Sequence, residues 1–325
     1  NPRSLSDRQR WEINRALVSG KSVIIAVQNY EWDYRPSGKG MSVTRRDEQP
    51  DVNPLLEQYG LGVSEDILMD ANNVSLQVRS NDAIAALMGQ GIAAKYPIHV
   101  LVNNESMDSE TSITGRLSSI FYLWGTALNI DAEKLKQFGL EAKTLMESSD
   151  KAWTKPASQT LGGNVFDQPT DGLKKFPLMA LVKGQFPDAF KDKERPAWPE
   201  PPQAPNQPPP PPKPEEAAAT PVTPAPGQLI LMGCSEMFKK NFLQQGNLDL
   251  FLNSVDAVTL GEDLVNVRGK KPVDRAITKP EDATRTFWKV VNYGLVSTII
   301  AAIGILTAVL RRRGRNAYTM SYSEK

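Results

Sequence analysis

Apolar residues in this chain come in short bursts with two kinds of spacing. In SLSDRQRWEINRALVSGKSVIIAV, residues 4–27, Ile13, Ala16 and Leu17 fall on one helical face, and Ser6 with Gln9 has the spacing of a capping box. Gly20 suits the C-terminal cap of that helix, and Val23–Val27 is an unbroken apolar run that fits a strand covered on both faces. The grammar repeats in NPLLEQYGLGVSEDILMD, where Gly60 ends a short helix and Ile67, Leu68 and Met69 form a strand closing on Asp70. Further strands are expected over 98–102, 120–124, 178–182 and 229–232. Short apolar strands separated by helical or loop stretches predict an α/β fold, with a mainly parallel or mixed sheet between helices. In QLILMGCSEMFKKNFLQQGNLDLFLNSVDAVT, Leu248, Phe251, Leu252 and Val255 share one helical stripe.

Two segments break this pattern. Residues 196–227, PAWPEPPQAPNQPPPPPKPEEAAATPVTPAPG, can join neither helix nor sheet, because proline supplies no backbone donor and fixes φ. They read as a linker or as an insertion in one domain, and the resumed strand and helix pattern after them favours the insertion. The second is Val290–Leu310, which has no charged side chain and matches the ~30 Å hydrocarbon thickness at ~1.5 Å per residue. It predicts one C-terminal transmembrane helix. Arg311, Arg312, Arg313 and Arg315 follow it directly and predict a cytoplasmic tail, with the body outside the cytoplasm. Arg275, Lys279, Arg285 and Lys289 on the other flank are less dense and are interspersed with Glu281 and Asp282. The expected divisions are an extracytoplasmic α/β domain over 1–195, the proline-rich stretch over 196–227, the rest of the domain over 228–279, a membrane-proximal and transmembrane helix with a basic end over 280–315, and a short tail over 316–325. The start at Asn1-Pro2 suggests an upstream piece that is missing or was removed.

Gly294, Ser297, Ala301, Gly304 and Ala308 recur every three or four residues, which puts small side chains on one stripe while Leu295, Ile299, Ile303 and Leu306 lie off it. Such stripes let helix backbones approach closely in lipid, so the helix is expected to pack against a permease helix or a second copy.

Composition adds mainly exclusions. Lys and Arg number 38 against 37 Asp and Glu, a balance that argues against nucleic acid as partner. The single cysteine, Cys234, leaves no intrachain disulfide and no cysteine-based metal site. Cys234 stands at a strand-to-helix turn, where glutamine amidotransferase-like domains keep a nucleophile. A thiolate needs a base, and the one histidine, His99, falls within a strand. GCSEMF also lacks the glycine that follows a nucleophile elbow by two positions. Asp70 reads as a turn-closing carboxylate. GQG at Gly89–Gly91 has no lysine-serine pair after it, so ATP hydrolysis would fall to another subunit. No catalytic, cofactor or metal site is expected.

Five stretches carry a family resemblance: LSDRQRWEINRALVSGKSVIIAV; NPLLEQYGLGVSEDILMD; AKTLMESSDKAW; FPLMALVKGQF; and LILMGCSEMFKKNF followed by NLDLFLNSVDAVTLGEDLVNVRGK. Their order, closing on a membrane helix with a basic end, is similar to the GldG-type auxiliary components of ABC transporters, first associated with gliding motility. The likeness spans nearly the whole chain. It implies a non-catalytic, membrane-anchored auxiliary subunit in a bacterial inner membrane, partnered by an ABC-2-type permease and a separate ATPase, in contact with lipid and with an envelope component as a further partner. Relatives often place an acidic residue where Cys234 stands, and the proline-rich stretch here is longer than the family's. The rival readings are an amidotransferase-like hydrolase using Cys234 and a structural envelope tether.

Overall fold

The computed structural model describes residues 5–37, 40–47, 51–79, 91–156, 166–199, 220–243, 245–260 and 282–323. The chain divides into two units, Asn1–Pro272 and Val273–Lys325. In the first unit the described elements run α1 (Asp7–Val18), β1 (Ser22–Ala26), β2 (Tyr30–Ser37), β3 (Gly40–Asp47), α2 (Asn53–Leu56), β4 (Leu61–Val63), β5 (Ile67–Asp70), β6 (Asn73–Arg79), β7 (Gly91–Asn103), β8 (Ser119–Leu123), β9 (Leu128–Ile130), α3 (Ala132–Gln137), β10 (Glu141–Glu147), β11 (Ala152–Lys155), β12 (Pro177–Gly184), β13 (Gly227–Met232) and α4 (Gln245–Leu260). The second holds α5 (Asp282–Val290), a π turn (Val291–Leu295) and α6 (Val296–Ser323).

Helix α1 starts on the predicted capping box. Ser6 Oγ accepts from the Gln9 amide at 3.3 Å, and Gln9 Oε1 accepts from the Ser6 amide at 2.9 Å. Two donors that the first turn would leave open are thereby satisfied. The helix ends at Ser19, and Gly20 follows with φ +79°; a Cβ there would stand 2.8 Å from Ala225 Cβ. Glycine is required by both the backbone and the neighbour.

The central sheet has the order β1-β13-β12-β10. Strands β1 and β13 are parallel, with Val23 opposite Leu229. Strand β12 is antiparallel to β13 and to β10. Of the mainly parallel or mixed sheet expected, the structure has the mixed form, with a single parallel pair among the described strands, a choice the sequence left open. The reason is that a strand covered on both faces reads as an apolar run whichever way it points. Alternation along these strands feeds two cores. Val23, Ile25, Leu229, Leu231, Ala180 and Val182 face Leu17, Leu55, Leu56 and Tyr59. Ile24, Ala26, Ile230, Met232, Met179 and Leu181 face Val100, Val102, Ile120, Tyr122, Leu250 and Ala257. Each such side chain contributes on the order of 1.5–3 kcal/mol when fully buried. The second face is covered by α4 together with the antiparallel β6-β7-β8 sheet, so the central sheet lies between helices, with a second sheet sharing one side. A third core, rich in aromatics, gathers Trp32, Trp124 and Trp153 with Met69, Ile98 and Phe121.

All six predicted strands overlap observed ones, with 23–27 and 120–124 each running one residue past the observed end, and several strands were not anticipated. The β2–β3 hairpin pairs Tyr30 with Asp47 through Ser37 with Gly40. Its signal was present: Tyr30, Trp32 and Tyr34 alternate with Glu31, Asp33 and Arg35 ahead of a Gly-Lys-Gly turn. Around the proline-rich stretch, the Pro196 carbonyl accepts from Arg8 Nη1 at 3.1 Å, the Thr220 carbonyl accepts from Arg15, and the Ala225 amide donates to the Val18 carbonyl at 2.9 Å. Arg8 also stacks between Trp11 and Trp198, 4.9 and 5.1 Å from the ring centroids. Both described ends therefore sit on α1, and residues 200–219 lie outside the described residues.

Helix α4 forms where expected but faces the other way. Asn247, Leu250, Ser254 and Ala257 are buried, whereas Leu248, Phe251 and Leu252 are exposed. The apolar stripe read from the sequence is not the one that enters the core. The covered stripe mixes Asn247 and Ser254 with Leu250 and Ala257, so hydrophobic periodicity points to the more apolar stripe beside it. This phase predicts that Leu250→Ala costs about 2–5 kcal/mol while Leu252→Ala costs about 0.5 kcal/mol or less. Denaturant unfolding of the two variants checks it, and equal losses would refute the assignment.

Candidate functional site

Open α/β sheets bind ligands beyond the carboxyl ends of their parallel strands. Here that position lies past Ala26 and Met232, and it is filled by the protein's own side chains. Gln28, buried, accepts at Oε1 from the Glu236 amide at 2.9 Å and the Ser235 amide at 3.3 Å, while its Nε2 donates to the Tyr30 carbonyl at 2.8 Å. The Gln28 carboxamide thus meets the amides of the loop after β13, where an anionic ligand would otherwise bind. Gly233 closes the space further: a Cβ there would come within 2.2 Å of the Thr126 carbonyl oxygen and 2.5 Å of the Tyr122 hydroxyl.

Cys234 is fully buried in this loop. Its Sγ donates to the Leu123 carbonyl at 3.1 Å and lies 3.7 Å from Gln28 Oε1. Burial pushes the thiol up to about 12, the Glu236 carboxylate adds to the rise, and backbone amides of Met237 and Glu236 oppose it. A nucleophilic cysteine needs the opposite setting, exposed and electropositive.

His99 lies in β7 opposite Leu123, as a strand residue with local partners. Its Nε2 is 2.6 Å from the Tyr34 hydroxyl and its Nδ1 is 3.2 Å from the Val74 carbonyl oxygen. Trp124 Nε1 donates to the same Tyr34 oxygen at 2.9 Å, which directs the tyrosine proton toward His99 Nε2 and places the imidazole proton on Nδ1. Desolvation raises the Tyr34 pKa, so the phenol stays protonated as this network requires. Asp70 is also structural. Its Oδ1 accepts from the Asn72 amide at 2.8 Å and Ser149 Oγ at 2.6 Å, and Oδ2 accepts from the Ser149 amide at 2.8 Å. Of the GQG stretch, Gly91 opens β7 and Gly89 and Gln90 lie outside the described residues. An open groove of about 850 Å³ between β4–β9 and residues 174–177 mixes Lys134, Lys174 and Lys175 with Glu57 and Asp66, which selects no one class of ligand. Among the described residues no group of three or more His, Cys, Asp or Glu is placed to hold a metal.

In the second unit, Thr286–Arg313 forms a helix long and apolar enough to cross a membrane, with a mean hydropathy of 2.2 over an 18-residue window. Ala301, Gly304 and Ala308 are exposed along α6, in regular register with Ser297. Gly294 falls inside the π turn, whose wider winding takes it out of the strict 3.6-residue register assumed from the sequence. The hydroxyls of Thr298 and Thr307 are satisfied within the helix, Thr298 on the Gly294 carbonyl at 2.7 Å and Thr307 on the Ile303 carbonyl at 2.9 Å. Phe287, Trp288 and Tyr293 are exposed near one end, and Arg311, Arg312 and Arg313 at the other. Arg315 continues α6 beyond them. The π turn and the aromatic group escaped the sequence reading, although amphipathic rings at the end of an apolar run mark a membrane interface.

The described residues therefore form a mixed α/β body and, after it in the chain, one helix of membrane-spanning length. Its residues 1–259 match the family model of an ABC-type uncharacterized transport system, and the chain belongs to this family of auxiliary components. Comparison with curated proteins gives no match. The family match ends within α4, ahead of the apolar helix.

The buried thiol makes a prediction about pH. Because the folded thiol ionises near 12 and an ordinary one near 9, its contribution to stability is full below about pH 9 and declines as pH rises toward about 12. Replacing Cys234 by Ala should flatten the alkaline limb of the unfolding free energy relative to wild type by up to about 1.4 kcal/mol per pH unit. Parallel limbs for the two proteins, or alkylation of native Cys234 at free-thiol rates at about pH 9, would contradict the burial.

Proposed function

We propose that this protein is a non-catalytic, membrane-anchored auxiliary subunit of a GldG-type ABC-2 transport system, with its α/β body outside the cytoplasm in a bacterial inner membrane. The supporting observation is the pairing of an ABC-transport auxiliary body with a membrane-length helix. A permease and a separate ATPase supply transport and ATP hydrolysis. The body assists export or engages an envelope component, and its interior does structural work. The buried, protonated Cys234 and the internally engaged His99 weigh against the amidotransferase-like alternative.

In this reading the proline-rich stretch is an insertion that leaves and rejoins the body beside α1, since Arg8 and Arg15, two turns apart on the same face of that helix, hold its two described ends. It is not a spacer between body and membrane. The arginine cluster sets the tail inside by the excess of positive charge on cytoplasmic flanks. A reporter fused after Lys325 should behave as cytoplasmic; cleavage of the tail by protease added to intact cells, with the body protected, would reverse the orientation.

The small residues Gly294, Ser297, Ala301, Gly304 and Ala308 form the face that meets the permease. The concave strip lined by Gly304, Thr307 and Ala308 suits close backbone approach. Replacing Ala301 or Gly304 by Leu should cost packing energy on the order of 1 kcal/mol per site and deplete co-purified permease. Exchanging Ile303 for Leu or Leu306 for Ile should leave it unchanged, and all variants should insert. Equal retention of permease in both sets would reduce the helix to an anchor.

A further inference from the structure

We propose that the outward face of α4 docks a partner protein that presents an apolar, helix-binding groove edged by lysine or arginine. The helix carries three lengthwise stripes. Asn247, Leu250, Ser254 and Ala257 are buried against the body. Leu248, Phe251 and Leu252 are 37%, 44% and 49% exposed, and Val255 continues their line half-buried. Asp249, Asn253 and Asp256 make the polar edge, with Asn253 Nδ2 fixed on the Ile113 carbonyl at 3.1 Å. Positions 248, 251, 252 and 255 are the i, i+3, i+4, i+7 anchors by which a helix enters a hydrophobic groove. Phe251 is held in place by the Phe238 ring, 5.7 Å between centroids. Single exposed leucines need no explanation; a continuous stripe of large apolar residues on one helix does.

Charge selects the occupant. The sequence of α4 contains two aspartates and neither lysine nor arginine. A helix lying in a lipid surface carries basic residues on its polar face, and an anionic leaflet would repel Asp249. A second copy packed antiparallel along the same stripe would bring the aspartate edges together, and like charges across an interface are costly; packed parallel, each aspartate edge would face the other flank of the partner helix, where α4 has no lysine or arginine to meet it. A basic-edged groove meets the stripe and its acidic border at once. This site stands on the body alone and holds whether or not the apolar helix contacts a permease.

The test uses the full chain in its native membrane with a photoreactive benzoylphenylalanine at Leu248, and the same probe at exposed Glu133 as control. The expected result is a heterotypic adduct with one polypeptide from position 248 and none from 133. Its yield should fall about tenfold or more on Leu252→Glu, as for a lost hot-spot side chain. Asp249→Lys, which keeps the apolar stripe, should depress it similarly because it opposes the basic edge. Unchanged unfolding midpoints in both variants would show that the loss is of docking and not of folding. A homodimeric adduct, a lipid adduct, no adduct above the Glu133 control, or a heterotypic adduct insensitive to Asp249→Lys would each overturn the proposal.

Discussion

Burial of both faces of the four-stranded sheet is the constraint on which the rest of the body depends. Once Val23, Leu229 and Val182 turn to one side and Ile24, Ile230 and Leu181 to the other, each side must be covered. Helix α1 and the α2 region cover one, and α4 with the β6-β7-β8 sheet covers the other. The joint between β1 and β13 is what keeps the two sides in register. Gln28 ties the loop after β1 to the loop after β13, and Gly20 lets the end of α1 approach the segment that leads into β13. Losing the Gln28 carbonyl would strand buried amides, each costing about 1–3 kcal/mol.

The same tie removes the place where this architecture most often does chemistry. Space beyond the parallel pair is taken by Gln28, Gly233, Cys234 and the Tyr122 hydroxyl, the last donating to the Thr126 carbonyl at 2.7 Å. A cysteine in that loop looks like a nucleophile on paper. In three dimensions it is a small buried side chain donating to a carbonyl, and its raised pKa follows from that burial.

How legible this was in the sequence depended on range. The capping box of α1 is local, three residues apart, and was read correctly. So were the six apolar strands, because continuous runs need only burial. Strand direction was not legible, since β12 carries the same apolar signature antiparallel that β1 carries parallel. Strand β10 went unread because its first residues, Glu141, Ala142 and Lys143, are exposed and leave half a pattern. On α4 the more apolar stripe is the exposed one, and the phase is set by β8, whose Phe121 amide and carbonyl bond the Asn247 side chain at 3.0 Å each. A polar residue, not a hydrophobic one, sets the phase of that helix.

That anchoring by Asn247 shapes what the outward stripe can be. Had α4 been held only by apolar contacts, a rotation of about 100°, one residue, would exchange its two stripes, and exposure of Phe251 and Leu252 would be an accident of packing. Two bonds to the β8 backbone and a third to the Met237 carbonyl at 3.0 Å forbid the rotation. Releasing them would strand buried polar groups, at a cost comparable to the burial that turning the stripe inward would gain. The exposed stripe is therefore a fixed property of the fold, presented at constant orientation. A rigid, preformed surface binds with less ordering cost than a mobile one.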